Sequence, residues 1–201
     1  MKKLMGSLVL AATVWGANAR AAATADINAA VLAKTVAQVQ AGAISAMNMI
    51  NWKIGDFHKF NVKFLFGGGT GSKTVPSEDL AQNAVWLKNE MTLMGQKQTT
   101  ETLLSRTDGK VLKLIVNGKE EDPNMGGGDV EILEQYEDNV KVPAGEFKSM
   151  FVKLKTSQQG QEVTISVWIN PTAVGLDGQL KMVAETQFGP LTLELTEFKI
   201  N

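Results

Sequence analysis

The spacing of apolar residues divides the chain into two regimes. Over residues 26–50, Leu32, Val36, Val39, Ala43, Met47 and Ile50 recur at intervals of three and four, which places them on one stripe of a helix. Lys34, Gln38, Ser45 and Asn48 fall off that stripe, and Asp26 has the carboxylate an N-cap needs. After Trp52 the period becomes two. Phe60, Val62, Phe64 and Phe66 alternate with Asn61 and Lys63; Val163, Ile165, Val167 and Ile169 alternate with Thr164, Ser166 and Trp168; Leu191, Leu193 and Leu195 alternate with Thr192, Glu194 and Thr196. Such alternation predicts half-buried antiparallel strands. Weaker runs of the same kind cover residues 85–94, 99–105, 111–116, 130–137, 146–156 and 179–187.

Turn chemistry separates the runs. Asp108-Gly109, Asn117-Gly118, Gln159-Gly160, Asp177-Gly178 and Gly189-Pro190 supply the positive φ or fixed proline φ of tight reversals, so consecutive strands should form a meander. About nine strands are expected, enough for the sheet to curl strongly or to close. The longer breaks, residues 67–79 and 120–128, read as surface loops. The expected fold is mainly β with one N-terminal helix. It comprises a signal peptide over 1–23, an amphipathic helix over 24–51 and an antiparallel β domain over 52–201, whose strongly curved sheet is a half-barrel or barrel-like.

The signal peptide rests on Lys2 and Lys3, a mostly apolar run over residues 4–15, and small-residue cleavage sites at Ala17-Asn18-Ala19 and Ala21-Ala22-Ala23. That run falls short of the roughly 20 residues a membrane span needs. The mature protein is therefore expected in the periplasm or outside the cell. Of 20 basic and 21 acidic residues, cleavage after residue 23 removes Lys2, Lys3 and Arg20, leaving a charge of −4. A mildly acidic chain is a poor ligand for nucleic acid. Without cysteine there are no disulfides or thiolate sites, and the single histidine cannot build a multi-histidine metal cluster. No metal or cofactor is expected.

Candidate chemistry is sparse. Gly67-Gly68-Gly69-Thr70-Gly71-Ser72-Lys73-Thr74 looks superficially like a phosphate loop, but serine precedes Lys73 and Val75-Pro76 stands where a helix should start. His58, in Asp56-Phe57-His58, has no serine in a nucleophile-elbow context, so a surface position at the start of a strand is the better reading. The carboxylates Glu120, Glu121, Asp122, Asp129, Glu131, Glu134, Glu137 and Asp138 do not follow the order of a calcium loop and read as solvated strand faces and turns. Glu194 and Glu197 should point to opposite sides of one strand. Trp86 is in phase with Lys88, Glu90 and Thr92, Trp168 with Glu162, Thr164 and Ser166, and Phe198 with Thr192, Glu194 and Thr196. Each aromatic thus falls on a face that should meet water. Scattered, such residues need no explanation; convergent, they would line a site for an apolar ligand.

The carboxyl half carries Val142-Pro143-Ala144-Gly145-Glu146-Phe147, then Val167-Trp168-Ile169-Asn170-Pro171, then Gly178-Gln179-Leu180-Lys181-Met182, and a final strand ending Glu194-Leu195-Thr196-Glu197-Phe198. This pattern resembles a family of exported bacterial β-proteins of unknown function, with a V-P-A-G-x-F turn, a tryptophan strand and a terminal E-L-x-E-F strand. The likeness covers roughly residues 52–198, including Trp52-Lys53-Ile54-Gly55-Asp56. It implies no catalytic set. It does imply that Phe147, Val167, Leu193 and Leu195 share one core. At fold level it implies a similarity to periplasmic lipoprotein carriers of the LolA/LolB type, in which a curved sheet wraps an apolar cavity capped by helices.

Two functions are therefore expected in turn. The first is a non-catalytic periplasmic carrier or sensor that holds a lipid, a lipoprotein acyl chain or another apolar group between sheet and helix, with Trp86, Trp168 and Phe198 as contacts and peripheral membrane contact in reach. The second is an envelope assembly or adaptor protein that binds another polypeptide through a sheet face or edge.

Overall fold

A computed structural model describes residues 50–64, 67–93, 95–122, 130–158, 161–186 and 189–201. The expected signal peptide, and the expected helix up to residue 49, lie outside the described residues; Ile50 and Asn51 are not helical.

The alternating runs become β1 (Phe57–Phe64), β2 (Gly67–Asp79), β3 (Ala84–Leu93), β4 (Gln96–Ser105), β5 (Val111–Val116), β6 (Lys119–Glu121), β7 (Val130–Val142), β8 (Gly145–Gln158), β9 (Gln161–Ile169), β10 (Gln179–Thr186) and β11 (Gly189–Lys199). All belong to one sheet in the order β6-β5-β4-β3-β2-β1-β11-β10-β9-β8-β7. Eleven strands thus replace the nine expected among the described residues. The two extra ones lie where loops were read: β2 takes the whole glycine-rich stretch, and β6 opens the break at 120–128. Among the described residues the sheet is also open, not a closed barrel, with β6 and β7 as its edges.

β2 is a strand despite its composition because it is bonded on both sides, to β1 and to β3. Its glycines let the neighbours come close. A Cβ on Gly69 would lie 1.9 Å from the Thr92 carbonyl oxygen, so only glycine fits that approach.

Curvature persists at one end. The β7–β8 turn folds back so that Ala144 N–H donates to the Leu195 carbonyl of β11 at 3.0 Å, and Phe147 meets Phe198 edge-on, ring centroids 6.3 Å apart. One core holds Phe60 and Val62 of β1, Leu191, Leu193 and Leu195 of β11, Leu180 and Met182 of β10, Ile165 and Val167 of β9, and Val152 and Leu154 of β8, with Phe147 packed against it. Phe147, Val167, Leu193 and Leu195 do share this core. A second, smaller core joins Val75, Val85, Leu87 and Leu104 to Leu176. Burying each such side chain is worth about 1.5–3 kcal/mol before chain entropy is charged against it.

The connection between β9 and β10 holds the one helix among the described residues, α1 (Pro171–Val174). Asn170 caps it by accepting from Ala173 N–H at 2.9 Å, and Pro171 occupies the first turn, where its missing N–H is harmless. Residues 77–83 are the end of β2 and a turn.

A bulge corrects two sequence expectations. Between Lys59 and Phe60 the register with β11 shifts, pairing Phe60 with Leu195 but Lys59 with Glu197 and His58 with Phe198. The extra residue in β11 reverses its phase. Phe198 therefore turns to the core side with His58, not to the water side with Thr192 and Glu194. Glu194 and Glu197 share the solvent face instead of opposing one another, bound to Lys63 at 2.6 Å and Lys59 at 2.7 Å.

Candidate functional site

The three aromatic residues singled out by phase do not meet. Trp86 lies on β3 between Ser77 and Leu103 of the adjacent strands, Trp168 on β9, and Phe198 on the core side of β11. Four strands separate β3 from β9, which at about 4.8 Å per spacing is about 24 Å along the sheet.

Trp168 instead anchors a row that crosses the solvent side of the sheet. Register aligns Tyr136, Phe151, Trp168, Lys181 and Glu194 on β7, β8, β9, β10 and β11. The rings of Tyr136 and Phe151 are 4.7 Å apart and those of Phe151 and Trp168 4.9 Å apart. The Lys181 ammonium stands 5.2 Å from the Trp168 ring, within cation–π range. Trp168 Nε1–H donates to Asp138 Oδ2 at 2.8 Å. Tyr136, Phe151 and Lys181 were missed in the sequence, since the signal that groups them is cross-strand register. The row ends at the edge strand β7, where Tyr136 is 50% exposed, Ile132 51% and Leu133 42%.

A second constellation is polar and sealed. His58 is 0% exposed, which overturns its reading as a surface residue: it shares the period-two face of Phe60 and Val62. Its Nε2–H donates to the Val174 carbonyl at 2.8 Å. A carbonyl only accepts, so Nδ1 carries the lone pair; it has no hydrogen-bond partner and lies 3.7 Å from Asp177 Oδ1. Lys73 of β2 donates to Asp177 and, at 2.7 Å, to Gln179 Oε1. Lys73, Asp177 and Gln179 are all buried. The cluster ties the β9–β10 connection to β1 and β2. Gly178, at φ +71°, makes this possible, because a Cβ there would lie 2.3 Å from Pro171 N.

Burial drives the His58 pKa below 6.5; Asp177 pulls it back up, as does the bond to Val174, while Lys73 opposes them. Burial alone would raise the Asp177 pKa, but the charge of Lys73, that of His58 when it is protonated, and the hydrogen bonds from Lys73 and Gln179 N–H outweigh it and hold the carboxyl below 3.8. Both shifts have one sign for stability. The unfolded chain binds a proton at His58 near pH 6.5 that the folded chain refuses, so this contribution is complete above that pH and is lost as pH falls through it. Asp177 adds a second loss below about pH 4. The denaturant midpoint should fall between pH 7.5 and 5, and His58→Gln should flatten that first window. A wild-type midpoint that does not change there would contradict the burial of a neutral imidazole.

The solvent face also has a groove of about 390 Å³ above the small residues of β2, lined by Lys59, Asn61, Thr70, Ser72, Glu90 and Lys97 among others. Most of the residues that line it carry polar or charged side chains, with Phe60 and Gly71 among them. No group of three or more His, Cys, Asp or Glu side chains that could hold a metal occurs among the described residues.

No family model matches the chain, and no curated protein does. Among solved structures it is similar to a protein with a YmcC-like fold from Bacteroides fragilis NCTC 9343, at 11% identity and a TM-score of 0.43, over 76% of this chain and 99% of that one. It is also similar to MucB, at 12% identity and a TM-score of 0.38, over 73% of this chain and 54% of that one. At that level of likeness neither neighbour assigns a function, and the chain's own residues must do so.

Proposed function

We propose that the protein is a non-catalytic binding protein of the periplasm that holds an extended segment of another envelope polypeptide along β7. The observation that carries this reading is the contrast between the two edges of the sheet. β6 is three residues long and reads Lys-Glu-Glu, a short charged edge of the kind that resists pairing. β7 is thirteen residues long, has no proline, and carries Ile132, Leu133 and Tyr136 exposed. The register with β8 shifts at Leu133, between Ile132 and Glu134, so it is the regular run from Glu134 onward that offers a row of main-chain donors and acceptors to an added strand, with Tyr136 supplying contact area beside it. A non-catalytic role is supported by the sealing of the only histidine, which leaves it no access to a substrate.

The carrier of an apolar group has less to rest on. It needs enclosed apolar space, whereas the core residues of β1 and β8 to β11 are at most 7% exposed and the groove on the other face is lined mostly by Lys, Asn, Thr, Ser and Glu side chains. A photo-crosslinking amino acid at Tyr136, incorporated in cells, should give discrete polypeptide adducts, and one at the exposed Leu112 of β5 should not. Native mass spectrometry supplies the opposing result: no adduct at position 136 together with a retained lipid would overturn the proposal in favour of the carrier.

A further inference from the structure

We infer that the segment docking on β7 is a basic strand in which lysine or arginine alternates with an apolar side chain, and that it is not a second copy of this chain. The inference rests on the reading of β7 as a docking edge. Toward Phe151 and Trp168, β7 presents Glu134, Tyr136 and Asp138 in succession, opposite Lys153, Phe151 and Ser149 of β8. Toward the other side it presents Gln135 and Glu137. A strand laid beside β7 brings its own side chains within about 4.5–5.5 Å of these. The residue beside Tyr136 would extend the aromatic row by one, and that row already holds an ammonium over Trp168 at its far end. Its neighbours two positions away would face Glu134 and Asp138, and the intervening side chain would face Glu137.

The charge of the edge strand decides the sign of the partner. Glu131, Glu134, Glu137 and Asp138 stand against Lys141 alone, and the lysine that binds Glu134, Lys153 at 3.0 Å, lies on the inner neighbour. Two copies of β7 brought edge to edge would set two such acidic strands against one another, which is unfavourable where like charges meet. A basic strand gains at the same positions. Screening by salt should weaken it.

The test uses the full chain with two labelled peptides, Thr-Lys-Thr-Phe-Thr-Lys-Thr and the same sequence with glutamate for lysine, read by fluorescence polarisation and hydrogen exchange. The lysine peptide should bind at least about tenfold more tightly, since like-charge contacts penalise the other. It should slow exchange at β7 amides. The double variant Glu134→Lys, Asp138→Lys, which inverts both charges that the peptide lysines face, should reverse the preference. Equal binding of both peptides with β7 protected would overturn the basic partner and leave the docking edge standing. Protection of β7 by neither peptide would overturn both. Protection without peptide that grows with protein concentration, alongside a doubled mass, would show a second copy as the occupant and overturn the inference.

Discussion

Lys73→Met is expected to lower the free energy of unfolding by about 3–5 kcal/mol, the loss typical of a buried ion pair deprived of one partner. Met has similar length and fills the same space, so packing changes little. What changes is Asp177, 4% exposed, which would keep its charge in a poor dielectric or take up a proton. Neither the His58 Nδ1 contact at 3.7 Å nor the Gln179 N–H donated to Oδ1 at 3.2 Å supplies the full positive charge that Lys73 does. The measurement is a denaturant titration at pH 7.5, read as a lower midpoint at unchanged slope. Adding Asp177→Leu to Lys73→Met should recover much of the loss, because removing both members of a buried pair is far less harmful than removing one. A single-variant loss under about 1 kcal/mol would mean that Asp177 is hydrated, since exposed pairs contribute no more than that.

Phe60→Ala should lose about 3–5 kcal/mol by the same titration, the range for truncating a buried aromatic side chain. Phe60 is 2% exposed and lies in the larger core with Leu195, its register partner. It also touches the polar cluster: the His58 ring meets it edge-on at 5.8 Å, and the Lys73 ammonium is 5.7 Å from its centroid. The two losses should therefore not add. A double-mutant cycle between Phe60→Ala and Lys73→Met should return a coupling of about 0.5–3 kcal/mol, as for residues in contact. Strict additivity would separate the ring from the cluster.

How much of this was legible depends on what each element relies on. β1, β9 and β11 were visible because their apolar residues alternate, and the turns between strands because glycine and asparagine mark them. β2 was not, since Gly67-Gly68-Gly69-Thr70-Gly71 has no apolar alternation; hydrogen bonds from two neighbours make it a strand, and composition does not record them. α1 left a signal in Asn170-Pro171, a cap followed by a first-turn proline, although four residues are too few to show a helical period.

The site divides the same way. The alternation that buries Phe60 and Val62 already placed His58 on their face, yet the Asp56-Phe57-His58 context read as surface. Lys73 and Asp177 are 104 positions apart, and no local pattern joins them. Phe198 was misplaced because a bulge reverses phase without any mark in the residues around it. Trp168 keeps its expected side of β9, but Tyr136, Phe151 and Lys181 reach it only through the pairing of four strands.

The adjacency of β1 and β11 at the middle of the sheet governs the order in which the chain can assemble. Every other pairing joins strands consecutive in sequence, so the hairpins of β1 to β6 and those of β7 to β11 can each form from neighbouring segments alone. The seam between the two blocks closes only when the last strand emerges, because β1 has no other mate on that flank. Loop closure over that distance is the slow, entropically opposed step. Until it is taken, the nascent protein carries an unsatisfied strand in each block, and that interval is when it is most exposed to aggregation.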